Sequence, residues 1–597
     1  MITRIKFADF SPRILAVVVG FGVSVEAQAV NFNIGEIEGQ FDSSLSVGAS
    51  WSTQSPSERL IGSANGGHGF TQTNDDGHLN FKKGETFSKI FKGIHDLELK
   101  YNDFGVFTRA KYWYDFELQD ESREFKDISN DGRKEAAKSS GFELLDAFAY
   151  YNYQIAEKPG SVRVGKQVVS WGESTFIGNS INAINPIDVS AFRRPGAEIK
   201  EGLIPVNMLY VNQGLTDKLS VEGFYQLEWD QTVLDNCGTF FSTTDVAADG
   251  CRNNYNILDA NTVNALRQPG TLAALNSLGV AVSPEGLVVP RGSDKDARDS
   301  GQWGMAFHWL GDDTEYGAYA MNYHSRTPIV SVQNANAAAI TTALRTPALA
   351  QPILLGRGSY FLEYPEDIRL YGLSFSTTLP EGTAWSGEIS YRPNMPLQTN
   401  TSDLTGRLAT TVAGAAATGG AAAALAQANV VSSGYIRKEV TQAQTTFTHF
   451  FDQVMGAERL TLVGEVGVTR VGGISNKIGQ RMGRDAVFGL PESAAADDEY
   501  GSGGFYTSTS WGYRARAIWD YANAFAGINL KPNLAWSQDV NGTGPVFNEG
   551  VKAASIGIDA DYQNTYTASL NYTNFFGGDY NVTTDRDFVA LSFGVNF

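Results

Sequence analysis

Stretches of about ten residues in which apolar and polar side chains alternate recur along most of this chain. Alternation of period two produces a strand with one apolar and one polar face. In the stretch from Leu219 to Trp229, Leu219, Val221, Tyr225, Leu227 and Trp229 share a side with Gly223. Ser220, Glu222, Gln226, Glu228 and Asp230 face the other way, joined by Phe224. From Trp511 to Tyr521 the apolar side holds Trp511, Tyr513, Ala515, Ala517, Trp519 and Tyr521, opposite Arg514, Arg516 and Asp520. Aromatic rings at both ends of an apolar face, with small residues between, are the girdle of a strand that crosses a bilayer. A soluble sandwich alternates too, but has no reason to place rings at the strand ends of its apolar face. No run of 18 apolar residues follows the N-terminus, which excludes a bundle of spanning helices.

The connections alternate in length. Short turns fall at Asn102-Asp103, Glu157-Lys158-Pro159-Gly160, Gly214 to Asp217, Gly311 to Asp313, Pro380-Glu381-Gly382, Gly456-Ala457-Glu458, Asn523 and Asn564. Long segments lie between them, the largest near 231–300, 326–366, 394–440 and 471–508. Tight turns on one rim and long loops on the other define a transmembrane antiparallel β-barrel, with the turns periplasmic. The pattern predicts about 18 strands, from 41–51 and 94–101 through to 586–597, an even total that returns both termini to the same side. Residues 30–597 form the single barrel domain. Charged residues are only 19% of the chain, against roughly a quarter in an ordinary soluble domain. A formal charge of −19 argues against a nucleic-acid partner, because phosphate binding needs a basic face.

The ends of the chain carry an address. Arg4, Lys6 and Arg13 precede an apolar run from Ile14 to Val25, and Ala27-Gln28-Ala29 fits a small-x-small cleavage site. Residues 1–29 read as a secretory signal peptide. Export permits disulfides, and Cys237 and Cys251, close together in a polar segment, read as a loop-closing pair. In the last strand Val589, Leu591, Phe593, Val595 and Phe597 alternate with Ala590, Ser592, Gly594 and Asn596. This resembles the terminal strand of outer-membrane barrels, which ends in Phe and serves the barrel-assembly machinery. The chain is expected in the bacterial outer membrane, in contact with its lipid and lipopolysaccharide.

An eighteen-stranded barrel is wide enough for an aqueous lumen unless something fills it. Arg109, Lys111, Arg163, Arg514 and Arg516 are inward-facing basic candidates; Glu222, Glu388 and Glu465 stand among the acidic ones. Such charges either pair across strands and stiffen the wall or form a ladder that selects a solute. Ala-rich pieces around 408–431, 256–290 and 335–353 suggest small helices in the outer loops, either a lid or plug in the mouth or a solvent-facing cap. The densest segment is 163–205, with Trp171, Glu173, Asn185, Asp188, Arg193, Arg194 and Glu198. A Trp171–Arg194 stack is available, and Glu173, Asp188 and Glu198 are acceptors for the Arg pair. The loop is either a self-satisfying rigid insert or a constriction or ligand site.

Val168 to Glu198 also resembles a proteobacterial outer-membrane family known only as domain of unknown function 1302. The resemblance extends to Gly35-Glu36-Ile37-Glu38-Gly39, Asn322-Tyr323-His324-Ser325-Arg326, Tyr364-Pro365-Glu366-Asp367-Ile368, Ser390-Tyr391-Arg392-Pro393-Asn394 and Asp585-Arg586-Asp587. It implies a porin-type barrel for hydrophobic, amphipathic or small organic solutes. A periplasmic partner and an inner-membrane pump of the resistance-nodulation-division type would work with it. The alternative is a surface-exposed structural or interaction barrel without transport.

Catalysis finds no support. The six histidines show neither His-x-x-x-His nor His-Glu-x-x-His spacing, and no Gly-x-Ser-x-Gly occurs. His324-Ser325 is adjacent on a strand and would point apart, so it reads as rim hydrogen bonding. Asn74-Asp75-Asp76-Gly77 offers carboxylates to a cation but reads first as an Asp/Gly turn. No cofactor or metal is called for, and no enzyme.

Overall fold

The computed structural model describes residues 30–597; residues 1–29, on which the signal-peptide expectation falls, lie outside the described residues. Eighteen antiparallel strands form the wall. They are β1 (Ile37–Ser52), β2 (Thr86–Tyr101), β3 (Phe104–Asp115), β4 (Ser140–Ile155), β5 (Lys158–Gln167) and β6 (Val206–Gly214). Next come β7 (Leu219–Gln226), β8 (Trp303–Leu310), β9 (Thr314–Tyr323), β10 (Ile368–Thr378), β11 (Ala384–Gln398) and β12 (Tyr435–Asp452). The last six are β13 (Arg459–Val471), β14 (Thr509–Phe525), β15 (Ile528–Asn541), β16 (Lys552–Tyr562), β17 (Tyr566–Phe576) and β18 (Phe588–Asn596).

Each strand pairs with its sequence neighbours, and β18 closes the ring on β1, with Ser44 opposite Asn596 and Ser52 opposite Phe588. The terminal Phe597 exchanges two backbone hydrogen bonds with Ser43, at 2.6 and 2.9 Å. Below that point β1 would have a bare edge. A short strand, Val30–Ile34, folds back on Ile37 to Phe41 and covers it. Its five residues alternate strictly, Val30, Phe32 and Ile34 against Asn31 and Asn33, but the run is half the length of a spanning strand and so does not stand out in the sequence. Closure matters because an unpaired backbone group in hydrocarbon costs several kcal/mol.

The burial pattern is that of a soluble protein turned inside out. Val47, Val106, Leu144, Leu373, Ile389, Val466, Ile556, Leu570 and Phe593 are exposed on the outer face. Buried toward the inside are Lys92, Lys111, Glu388, Arg392, Gln442, Thr446, Glu465 and Asn533. The eight turns on one rim have two to six residues. Two of them sit away from the sequence reading. The fourth and fifth strands meet at Ala156-Glu157, both with positive φ (49° and 63°), so Pro159 and Gly160 lie in β5 instead. The Asn523 turn moves to Ala526-Gly527, because β14 runs on to Phe525. Several strands also begin earlier or end later than alternation suggested, as in β2, which starts at Thr86 and not at 94. These extensions project beyond the alternating core of the strand, where neither face needs to be apolar.

On the long-loop side, segments from 227–302, 324–367 and 399–434 build a second hydrophobic core outside the barrel. Tyr255 and Leu287 from the first, Ile340 and Tyr360 from the second, and Leu404 and Leu408 from the third pack together. A helix over Thr401–Leu425, kinked at Gly420, supplies the last pair. The Ala-rich pieces are therefore helices that pack on one another as a cap. The expected Cys237–Cys251 disulfide is present within this region.

The two faces of a strand should respond oppositely to charge. Leu570→Arg, mid-strand on the outer face of β17, is expected to cost about 2–4 kcal/mol in reversible unfolding from phospholipid vesicles. Ser569→Arg, one residue away and facing inward, should cost far less. Equal losses would contradict the assignment of faces.

Candidate functional site

The segment from 168 to 205, between β5 and β6, does not join the cap. It enters the barrel and crosses it. The cause lies in the wall of β6 to β10, whose inner face is apolar in places: Met208, Tyr210, Phe224, Tyr319, Met321 and Leu370 are buried there. Such a face cannot be left to water, and Trp171, Ile181 and Ile184 of the inserted loop cover it. Full burial of side chains of this size contributes roughly 1.5–3 kcal/mol each. Trp171 lies against Phe224 and Tyr319, with ring centroids 5.1 and 5.8 Å apart, and its Nε1 donates to Glu222 Oε2 at 2.7 Å.

Farther along, two wall carboxylates hold the loop by its backbone. Glu465 of β13 accepts from the amides of Thr175 (3.0 Å), Phe176 (2.6 Å) and Ile177 (2.7 Å). Glu388 of β11 accepts from the amides of Glu173 and Ile181. Hydrogen bonds to an ionised acceptor are worth about twice a neutral one. Gly172 makes the first approach possible: its φ is +90°, and a Cβ there would stand 2.4 Å from Glu388 Oε2. Gln442 and Gln444 of β12 donate to the carbonyls of Gly178 and Ile177, each at 2.9 Å.

Two arginines tie the same stretch from above. Arg392, fully buried, donates Nε to Tyr323 Oη at 2.9 Å and Nη2 to the Ser180 carbonyl. Arg326 donates Nη2 to the Ile184 carbonyl at 3.1 Å and to Gln226. Both lie in the short pieces that carry the family resemblance, and nothing in their spacing connects them with 168–205. Their shared signal is a long donor-rich side chain at the loop-side end of a strand or just beyond it.

The loop then returns to the opposite wall. Asn185 spans the loop's base, accepting from the Val169 amide at 3.0 Å and donating to the Ile204 carbonyl at 3.0 Å. Asp188, without exposed surface, receives Lys111 Nζ at 2.9 Å, and Lys111 also meets Glu143 at 3.0 Å. Lys92 donates to Glu201 at 2.6 Å and to the Gly196 carbonyl at 2.7 Å. Glu198 forms a capping box with Glu201 and an ion pair with Lys200 at 3.1 Å.

The arginine pair departs from the sequence reading. Arg194 stacks on Trp113 at 4.7 Å and donates to the Ala136 carbonyl at 3.0 Å; it does not stack on Trp171. Trp171 sits on the β7–β9 wall, and the chain has crossed the barrel to β3 before it reaches Arg194. Arg193 pairs with Asp235 and donates to the Phe241 carbonyl, and not to Glu173, Asp188 or Glu198. Both arginines tie the loop to outer segments 116–139 and 227–302. His324 is fully engaged: Nε2 donates to the Ser300 carbonyl at 3.0 Å and Nδ1 accepts from the Asp367 amide at 3.0 Å.

The remaining inward candidates divide in two. Arg109 forks onto Asp96 at 2.7 and 2.8 Å and reaches Asp146 at 3.3 Å, and Arg514 pairs with Asp539 at 2.6 Å. Arg163 lies over the Tyr210 ring at 4.2 Å. The Arg516 side chain makes no hydrogen bond or ion pair among the described residues. On β15 to β17 the inward positions around it are small or polar, with Asn533, Ser555, Asp559, Ser569 and Asn571. Toward the turn rim, the loop roofs a cavity of about 620 Å³ lined by Asp42, Ser44, Asp96, Glu198, Lys200 and Thr567.

Fold and site together define a closed eighteen-stranded transmembrane β-barrel whose lumen is crossed by an internal loop. The chain belongs to the family described as protein of unknown function (DUF1302), whose profile matches residues 11–597. No functionally curated protein matches it. Among solved structures it is similar to OccAB3 of Acinetobacter baumannii, at 10% identity over 94% of this chain and 99% of that one, with a TM-score of 0.40. A BenF-like porin from Pseudomonas fluorescens Pf-5 is similar at 7% identity over 94% and 98%, with a TM-score of 0.40. OccAB1 of A. baumannii is similar at 10% identity over 96% and 98%, with a TM-score of 0.38.

Glu465→Ala removes three charge-assisted hydrogen bonds at once. Losing a net opening cost of about 3 kcal/mol would speed exchange of the Thr175, Phe176 and Ile177 amides roughly 100-fold. Hydrogen–deuterium exchange on the detergent-solubilised barrel reads this directly. Unchanged protection at these three amides would contradict the anchoring role.

Proposed function

We propose that this protein is an outer-membrane channel or transport component in which residues 168–205 form the constriction. The single observation behind this reading is the route of that loop. It is clamped to β11–β13 on one side and to β2 and β3 on the other, while the polar inner wall of β15–β17 carries none of its anchors among the described residues. A segment used only for rigidity would gain most by covering the whole interior. This one leaves a strip of small polar residues with an unpaired Arg516 beside it. We assign the cargo to small organic, hydrophobic or amphipathic solutes, and take the periplasmic partner and inner-membrane pump implied by the family resemblance as part of the same proposal. The two basic tethers, Lys92 and Lys111, would then set the loop's position without contacting cargo.

The apolar packing of Trp171, Ile181 and Ile184 favours a second reading, a barrel permanently stoppered by its loop. Planar-bilayer recording separates the two. Wild-type protein is expected to give small discrete conductance steps, and the Glu388→Ala, Glu465→Ala double variant steps at least twofold larger. No steps from either protein, with both correctly inserted, would overturn the channel reading in favour of the stopper.

A further inference from the structure

Outside the barrel, three outer segments meet around a knot of acid. Asp75 and Asp76 come from 53–85, Asp245 from 227–302, and Lys126 from 116–139. One oxygen from each aspartate lies within 4.8 Å of the others, and all three residues are buried. Lys126 is the cation in hydrogen-bond reach among the described residues, at 2.8 Å from Asp76, and it is shared with Glu285 at 2.7 Å. Four acidic groups thus face one ammonium. Burial pushes all three aspartate carboxyls up, Asp76 to about 6, and their mutual repulsion adds to it for Asp76 and Asp245.

An independent feature points to a ligand. Asp75 has no exposed surface, and its Oδ2 is taken by the Gly62 amide and Asn65, both at 2.9 Å. Its Oδ1 accepts no hydrogen bond at all. A buried carboxylate oxygen without a donor costs about 1–3 kcal/mol or more, unless something outside the chain's own donors meets it. The adjoining Asn74 Oδ1 is buried and without a donor as well. Asp245 is held in place for the purpose. It lies inside the loop closed by Cys237–Cys251, and its amide donates to the Thr73 carbonyl at 2.8 Å.

We propose that Asp75, Asp76 and Asp245 bind a hard divalent cation of the calcium class that staples the outer segments 53–85 and 227–302 together. The donors are all oxygen, with neither sulfur nor imidazole in the cluster, which suits calcium over zinc or copper. Neutralising three carboxylates relieves the repulsion left by Lys126 at Asp76 and by the Asp76 and Gly238 amides that donate to Asp245, and the free Asp75 oxygen gains a partner. The site is independent of whether the barrel conducts.

The test uses the full-length protein in detergent, stripped with EGTA and titrated with calcium chloride by calorimetry and by thermal unfolding. Wild type is expected to bind one calcium saturably, with an affinity of about 10⁻⁴–10⁻³ M or tighter, as extracellular calcium modules do. Its cap should unfold several degrees higher when loaded. Asp245→Asn and Asp75→Asn should each weaken binding at least tenfold. Absence of saturable binding and of any calcium-dependent shift in the wild type, up to 10-fold above that range, overturns the proposal without reference to a variant. So does wild-type affinity in either variant.

Discussion

The inversion of polarity across the wall governs the rest of this molecule. Apolar side chains such as Leu373, Ile556 and Leu570 look outward and polar ones such as Gln442 and Asn533 look inward, around a ring closed by β1 and β18. Hydrocarbon outside forbids an open edge, so the last residue, Phe597, bonds to Ser43, and the Val30–Ile34 hairpin covers what remains of β1. Once the interior is polar and enclosed, its charges have either to meet water or to meet each other. Here Arg109 and Arg514 meet wall carboxylates, Lys92 and Lys111 meet carboxylates of one inserted loop, and Glu388, Glu465 and Arg392 meet that loop's backbone.

That loop is held by a division of labour between the two walls. Carboxylates on β11 and β13 accept amide protons, while lysines on β2 and β3 each donate to a loop carboxylate, Glu201 or Asp188, and to a loop carbonyl. The loop is thus fixed by its backbone amides on one side and by its own carboxylates Asp188 and Glu201 on the other. The apolar patch on β6–β10 adds the non-directional part, through Trp171, Ile181 and Ile184. Arg326 and Arg392 connect the same loop to the strand ends from which the cap departs, so the loop's position and the cap's are mechanically joined.

Much of this was legible from residues alone. Period-two alternation marked the spanning strands, and their total of eighteen in the ring agrees with the structure. The spacing of Cys237 and Cys251 marked their pairing. What escaped was whatever departed from alternation. The extensions of β2 and β14 lie where no lipid enforces a face. The inner apolar patch was present as Phe224 among polar neighbours and as Met208 and Tyr210, but a strand apolar on both sides breaks the rule used to find it. Trp171, Glu173, Asn185, Asp188, Arg193, Arg194 and Glu198 stand close in sequence, and the structure engages them at separate places and not as one cluster. Proximity in sequence is a poor guide here because the segment reaches out to β13 and returns past its own base to β2 and β3, which leaves Trp171 and Arg194 on different walls although its two ends join the paired strands β5 and β6.

The central claim, that residues near 175 are pinned inside the barrel against β12 and β13, is open to direct chemical test. Thr175 Oγ1 stands 3.4 Å from Thr446 Oγ1. With cysteine at both positions, Thr175→Cys and Thr446→Cys, a disulfide is predicted to form within one chain in intact outer membranes and to appear as a mobility change without reductant. Two free thiols, both labelled by a membrane-impermeant maleimide, would contradict an inserted loop.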